Sequence, residues 1–299
     1  MGDKELMVRG SGQVGQVAQA DNDNQVLAMW LHGRPQTTQR AYAYEVKALL
    51  AVVGKLIKSI TLWDLQGYFS GLKALSPASQ ARAINAVKSL FSFAQRIGYL
   101  HFNPAAAIKG PKIKNTLAEK ILPESEVHRL LALEPHPRNR VLLRLMYAAG
   151  LRVSEVCGLK WRDLQEREEG AGQITVYGKG GKTRAVLLSP QTWAELISLK
   201  GEGVVNDSVA DNPVFASRKG KGHLHPSQVN RIIQAAAERA GIEAPVSPHW
   251  LRHAHASHAL DRGAPIHLVQ ATLGHASVAT TGKYLHARPE DSSARYLGI

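Results

Sequence analysis

The sequence predicts a mainly helical protein with one small β-sheet, an α+β fold in two domains, and three observations carry that prediction. Apolar residues recur at helical spacing, with Leu142, Leu145, Met146 and Ala149 at i, i+3, i+4 and i+7 in "NRVLLRLMYAAGLRVSEVCGLKW". A pair of β-rich runs in "QITVYGKGGKTRAVLLS" flanks a Gly-Lys-Gly-Gly-Lys turn, a hairpin by composition. The Pro, Gly and Lys content of "NPAAAIKGPKIKNT" marks a boundary between a basic helical first part and a larger second part.

Residues 1–22, "MGDKELMVRGSGQVGQVAQADN", are rich in Gly, Gln, Asp and Asn without a sustained apolar period and read as a disordered tail. A helical domain follows over 23–108. There "TTQRAYAYEVKALLAVVG" opens on a threonine suited to a helix cap, and "SPASQARAINAVKSLFSFAQRIGYL" has Ser-Pro at its start and Gly98 near its end, with "TLWDLQGYFSGL" between them. A bundle of roughly four helices is expected. Residues 109–120 form a basic linker. Over 121–299, "LPESEVHRLLAL" restarts a helix, Gly150 breaks the next one, the hairpin follows, and helices return from "PSQVNRIIQAAAERAG" onward.

Charge separates the two parts further. The chain has a formal net charge of +13. Residues 30–115 contain 12 Lys and Arg but only the acids Glu45 and Asp64, whereas 116–299 contain 23 Lys and Arg against 18 acids. A polyanion suits such a surface, because each phosphate that a lysine or arginine neutralises releases condensed counterions. No apolar run approaches the roughly 20 residues of a membrane span, and "MGDKELMVRG" lacks the layout of a signal peptide, so a soluble, cytoplasmic protein with no membrane partner is expected. The single cysteine, Cys157, has no partner for an internal disulfide and reads as a small buried hydrophobe.

Several residues are suited to phosphate chemistry. In "SPHWLRHAHASHAL", Pro248 fits the first turn of a helix, which puts His249 and Arg252 on one face at i, i+3. Imidazole beside guanidinium grips an anion well and a cation poorly. The pairs His249/His253 and His255/His258 have metal-ligand spacing, but Arg252 lies within a turn and no carboxylate or cysteine follows before Asp261, so no metal is expected. His253, His255 and His258 read as packing and hydrogen-bonding residues. Arg152 in "GLRVSE" is either half of a structural ion pair with Glu155 or a buried anion grip. The turn "GKGGKT" is no nucleotide-binding loop, because a strand run follows it where that loop needs a helix. Lys179 or Lys182 there is a solvated tip residue, or a mobile acid if the hairpin lies against nucleic acid. His275 follows a Leu-Gly helix end, and Tyr284 comes nine residues later, by itself an ordinary amphipathic residue.

In order, "YAAGLRVSEVCGLKWRDL", "VYGKGGKTRAVLLS" and "SPHWLRHAHASHALDRGAPIHLVQATLGHASVATTGKYLHA" resemble the tyrosine recombinase (phage integrase) family, close to its Xer-type bacterial members. The likeness covers the whole second domain, a catalytic domain in that family. The first resembles its helical core-binding domain more loosely. The resemblance implies catalytic roles for Arg152 and Arg252 as phosphate clamps, Lys179 as the acid for the departing 5′-oxygen, His249 as base, His275 as a further phosphate contact and Tyr284 as nucleophile, with Glu155 supporting Arg152. It also implies double-stranded DNA as substrate, clamped from opposite sides by the two domains, a 3′-phosphotyrosyl intermediate, a homo-tetramer or a hetero-tetramer with a paralogue, and no cofactor, neither metal nor ATP. A type IB topoisomerase-like nicking and closing enzyme would use the same residues. A DNA-binding accessory protein that does not cleave is the rival from another class. The closing stretch "SARYLGI" is expected to dock on a neighbouring protomer through Tyr296, Leu297 and Ile299.

Overall fold

The computed structural model describes residues 19–112, 116–178, 181–200, 210–217 and 222–285, and the chain divides between Lys114 and Asn115 into two compact units. Twelve α-helices and three strands are present among the described residues, mainly α with one small antiparallel sheet as predicted. No helix among them is long and apolar enough to cross a membrane.

The first unit is built from α1 (Asp23–Leu31), α2 (Gln36–Val53), α3 (Leu62–Gly71) and α4 (Pro77–Arg96). Helix starts follow from side chains that can accept the orphan amides of a first turn. Thr61 and Asp64 form a reciprocal capping box on α3, and Ser76 caps α4 with Pro77 at its first position. The threonine expected to cap α2 does not do so: Pro35 precedes the helix without a side-chain bond, and its fixed φ sets the entry instead. Trp30, Leu49, Ile57, Leu65, Leu90 and Phe91 fill the core. The Trp30 indole donates to Ser89 Oγ at 3.1 Å, so its burial leaves no donor unpaired.

Residues 19–22 depart from the tail expected over 1–22. Ala20 is buried, the Gln19 amide donates to the Ile97 carbonyl at 3.3 Å, and Asn22 caps α1. One small apolar residue in a polar stretch has no periodicity to reveal it. Residues 1–18 lie outside the described ones, as do Lys179 and the stretch "SARYLGI". Within the expected linker, Ala118–Lys120 forms a 3-10 turn in the second unit.

The second unit runs α5 (Glu124–Ala132), α6 (Pro137–Ala148), α7 (Val153–Gly158), β1 (Leu164–Glu166), β2 (Gly172–Tyr177), β3 (Thr183–Leu188), α8 (Pro190–Ile197), α9 (Pro226–Arg239), α10 (Pro248–Asp261), α11 (Ile266–Leu273) and α12 (Val278–Gly282). Helix α6 sits at its centre, with Leu142, Leu143, Leu145 and Met146 fully buried and α10 packed against it. The sheet order is β1-β2-β3, and the hairpin register pairs Ile174 with Val186 and Val176 with Arg184. Strand β1 is an addition to the predicted hairpin, too short at three residues to show alternation. Gly150 ends the segment after α6 at φ +59°, and a Cβ there would lie 2.6 Å from Leu273 Cδ2. That close approach brings the end of α11 onto the α6–α7 junction, where the functional side chains gather.

Candidate active site

Helix α10 delivers the central group. Pro248 opens it after Ser247, and Arg252 follows one turn later, 4% exposed. A charge this deep must have its donors met. Arg252 Nη1 donates to the Gly150 carbonyl and Nη2 to the Leu273 carbonyl. Burial, and then the neighbouring Arg152, pull its pKa down to about 10, with Glu155 opposing them. It is therefore still a cation at pH 7.

Arg152 enters from the junction before α7. Its Nη1 donates to Glu155 Oε1 at 2.7 Å, its amide to Glu155 Oε2 at 2.8 Å, and its Nη2 to the Gly274 carbonyl at 3.2 Å. Glu155 thus orients Arg152, as its position three residues on suggested. A third guanidinium, absent from the expected set, grips the same carboxylate: Arg184 Nη1 and Nη2 donate to Glu155 Oε1 and Oε2 at 2.9 and 2.8 Å. Burial alone would raise the Glu155 pKa, but the bonds from Arg184 and Arg152 outweigh it and hold the carboxyl at about 2. Three guanidiniums against one carboxylate leave the pocket positive.

Tyr284 follows α12, its amide bonded to the Thr281 carbonyl at 3.0 Å. Its ring is buried among Ile121, Ala256, Val269 and Leu273. The hydroxyl lies 2.7 Å from His253 Nδ1, not on His249. His253 is thus a hydrogen-bonding residue, as its place on the helix suggested, and its partner is the tyrosine hydroxyl. His249 stands one turn earlier, its ring stacked on His253 with centroids 6.3 Å apart. The other two histidines of the helix do serve packing and hydrogen bonding: His255 Nδ1 donates to the Tyr147 carbonyl at 2.8 Å, and His258 Nδ1 lies 3.0 Å from the Tyr147 hydroxyl. His275 stacks parallel to Tyr284 with centroids 6.5 Å apart, its Nδ1 2.8 Å from Thr281 Oγ1. Arg152, Lys182, Arg184, His275 and Thr280 line a cavity of about 770 Å³ beside it.

Burial, then Arg252, Arg152 and Arg184, hold His275 at about 4, and burial, then His249, Arg252 and Lys120, hold His253 at about 4. His249 is lowered by burial first and by Arg252 second. Burial raises Tyr284, with Arg252 pulling the other way. The pocket thus holds a neutral phenol and neutral imidazoles around fixed cations. In the unfolded chain the two histidines titrate near their ordinary 6.5 and take up protons that the folded state refuses. Their contribution to stability is complete above pH 6.5 and is lost as the pH falls through 4. The thermal midpoint is expected to decline steadily across that window, whereas a flat midpoint would contradict neutral buried imidazoles.

Among the described residues no three His, Cys, Asp or Glu converge to hold a metal ion. Cys157 is buried, which raises its thiol to about 11, in keeping with a small hydrophobe. The family resemblance pointed to Arg152, Glu155, His249, Arg252, His275 and Tyr284, which lie together in the structure. It missed Arg184 and the pairing of His253 with Tyr284. The strand's own parity holds the signal for the first, since Arg184 shares a face with the buried Val186 and Leu188.

A model of the phage integrase family matches residues 120–291. A tyrosine recombinase of Thermosipho africanus is 33% identical over 278 residues, 86% of this chain and 90% of that protein. Tyrosine recombinase XerC of Xanthomonas campestris is 36% identical over 218 residues, 72% of this chain and 65% of that protein. The fold matches the solved structure of XerH site-specific recombinase bound to palindromic difH substrate, a post-cleavage complex, with a TM-score of 0.73 at 24% identity, covering 94% of this chain and 86% of that one. With more than half its length matched by the family model and a relative aligned along most of both chains, the chain belongs to the phage integrase family of tyrosine recombinases.

Proposed function

We propose that the chain is a site-specific DNA recombinase that cuts duplex DNA one strand at a time by attack of Tyr284 on a phosphodiester. The observation that carries this reading is a buried tyrosine hydroxyl held 2.7 Å from a neutral imidazole, close enough to Arg252 for that charge to act on the phenol. Guanidinium forks from Arg152 and Arg252, with His275, meet the charge that grows on the nonbridging oxygens of the transition state.

The phenolic oxygen bonds to phosphorus as the bond from phosphorus to the 5′-oxygen breaks. The DNA is left joined to Tyr284 through its 3′-phosphate, with a free 5′-hydroxyl on the other side. The phenol proton passes to His253 Nδ1, and Lys179, the family's expected acid, protonates the departing oxygen. At about 4 an imidazole is a weak base. A phosphodiester bound among the arginines supplies the negative charge that raises it, so that the substrate itself switches on the proton acceptor. Because the phosphotyrosyl link keeps the bond energy, the 5′-hydroxyl of a second strand can reverse the step without metal or ATP. Four protomers on paired sites would complete the exchange.

A duplex carrying a nick close to the cleavage point loses its 5′-hydroxyl fragment by diffusion and traps the intermediate. The protein is expected to form a covalent band with it in the presence of a chelator. No band means no such chemistry. Two differently marked duplexes then separate recombination, which yields hybrid products, from nicking and closing, which does not.

A further inference from the structure

On β3, Arg184 occupies an inward position at which an apolar residue would be ordinary, beside Val186 and Leu188. Its side chain is 11% exposed. Besides the two bonds to Glu155, its Nε donates to the Thr272 carbonyl at 2.7 Å. Three consecutive carbonyls at the end of α11 therefore serve three arginines: Thr272 accepts from Arg184, Leu273 from Arg252 and Gly274 from Arg152. Carbonyls left open at a helix C-terminus form the negative end of its dipole, which suits such a cluster. Gly274 makes room for it. At φ +63° it adopts a left-handed turn, and a Cβ there would lie 3.2 Å from Arg184 Cδ and Nη1.

We infer that Arg184 is a positioning residue for phosphodiester cleavage, a role that rests on the reaction proposed above. It clamps Glu155 against the end of α11, so that Arg152 and Arg252 face the phosphate as a fixed pair. Glu155 Oε1 accepts from Arg152 and Arg184 together, which leaves Arg152 only one side-chain bond to the carboxylate. Without Arg184, Oε1 keeps only Arg152 Nη1 and Oε2 keeps only the Arg152 amide, so each oxygen has room for a further bond from the Arg152 fork. Arg152 can then close on Glu155 bidentately and turn away from the phosphate.

Single-turnover formation of the covalent band tests this with Arg184→Gln and Arg184→Lys, on a nicked duplex whose scissile group is either the ordinary phosphodiester or an uncharged methylphosphonate. Arg184→Gln is expected to bind DNA within about twofold of wild type and to cleave the phosphodiester about 100-fold more slowly, the scale of a misplaced catalytic group. Its deficit relative to wild type should shrink at least about tenfold on the methylphosphonate, where one anionic oxygen that the guanidiniums meet is gone. Arg184→Lys, which keeps the charge and loses the fork, should fall between. Equal slowing on both substrates, or phosphodiester cleavage within about threefold of wild type, overturns the role. If Arg184→Gln loses its helical circular dichroism, Arg184→Lys carries the same comparison. Wild-type protein that forms no band refutes the reaction, and the role falls with it.

Discussion

Tyr284→Phe is expected to abolish the covalent protein–DNA band while leaving the fold and the affinity for DNA nearly unchanged. Removing a nucleophile costs on the order of 10⁴ to 10⁶ in rate, because nothing else in the pocket can take over its bond to phosphorus. The structural cost is small by comparison. The phenylalanine ring keeps the burial that Ile121, Ala256, Val269 and Leu273 give the tyrosine, and what disappears is the 2.7 Å contact with His253 Nδ1. One net hydrogen bond is worth about 1 kcal/mol, so the melting temperature should move by a few degrees. The disparity between a lost activity and an almost intact protein separates a chemical role from a packing role. A variant that still forms the band would move the nucleophile elsewhere.

Much of this site is legible in the order of residue types along the chain, because that order carries the resemblance to the family. Arg152 with Glu155 and His249 with Arg252 stand at spacings that imply a shared helix face, His275 follows a helix end, and Tyr284 joins them only through the resemblance to the family. Helix α6 was legible for a related reason, since burial on one side of a helix leaves a repeat of three and four residues. Strand β1 was not, because three residues hold no period. Arg184 escaped because a charged residue in a strand run is ordinarily solvent-facing, and only its parity with Val186 and Leu188 says otherwise. The pairing of His253 with Tyr284 escaped for another reason. Which of two histidines one turn apart meets a tyrosine 31 residues later depends on how α12 packs, and spacing along α10 cannot encode that. Local physics is written in the sequence, whereas the pairing of elements across the core is written in shape.

Arg252→Met should lower single-turnover cleavage about 10³-fold, the scale of losing a preorganised donor for transition-state charge, yet destabilise the protein by less than its hydrogen bonds suggest. Two opposing terms decide the second half of that expectation. The guanidinium serves the Gly150 and Leu273 carbonyls, and losing charged hydrogen bonds costs about 1.5–3 kcal/mol each. Against that, burial and the nearby Arg152 disfavour the charge enough to bring its pKa to about 10, so the folded protein holds this cation at a cost that methionine removes. Replacing a buried charge by an apolar side chain of similar length is often close to neutral. The net loss should therefore be about 1–3 kcal/mol, read from denaturant unfolding with an unchanged slope. Arg252→Lys should restore little of the rate, since a single ammonium cannot hold two carbonyls and still present a fork to the phosphate. A stability loss above about 5 kcal/mol would identify Arg252 as part of the fold's own framework, whereas a small loss beside a large rate defect assigns its buried charge to the phosphate.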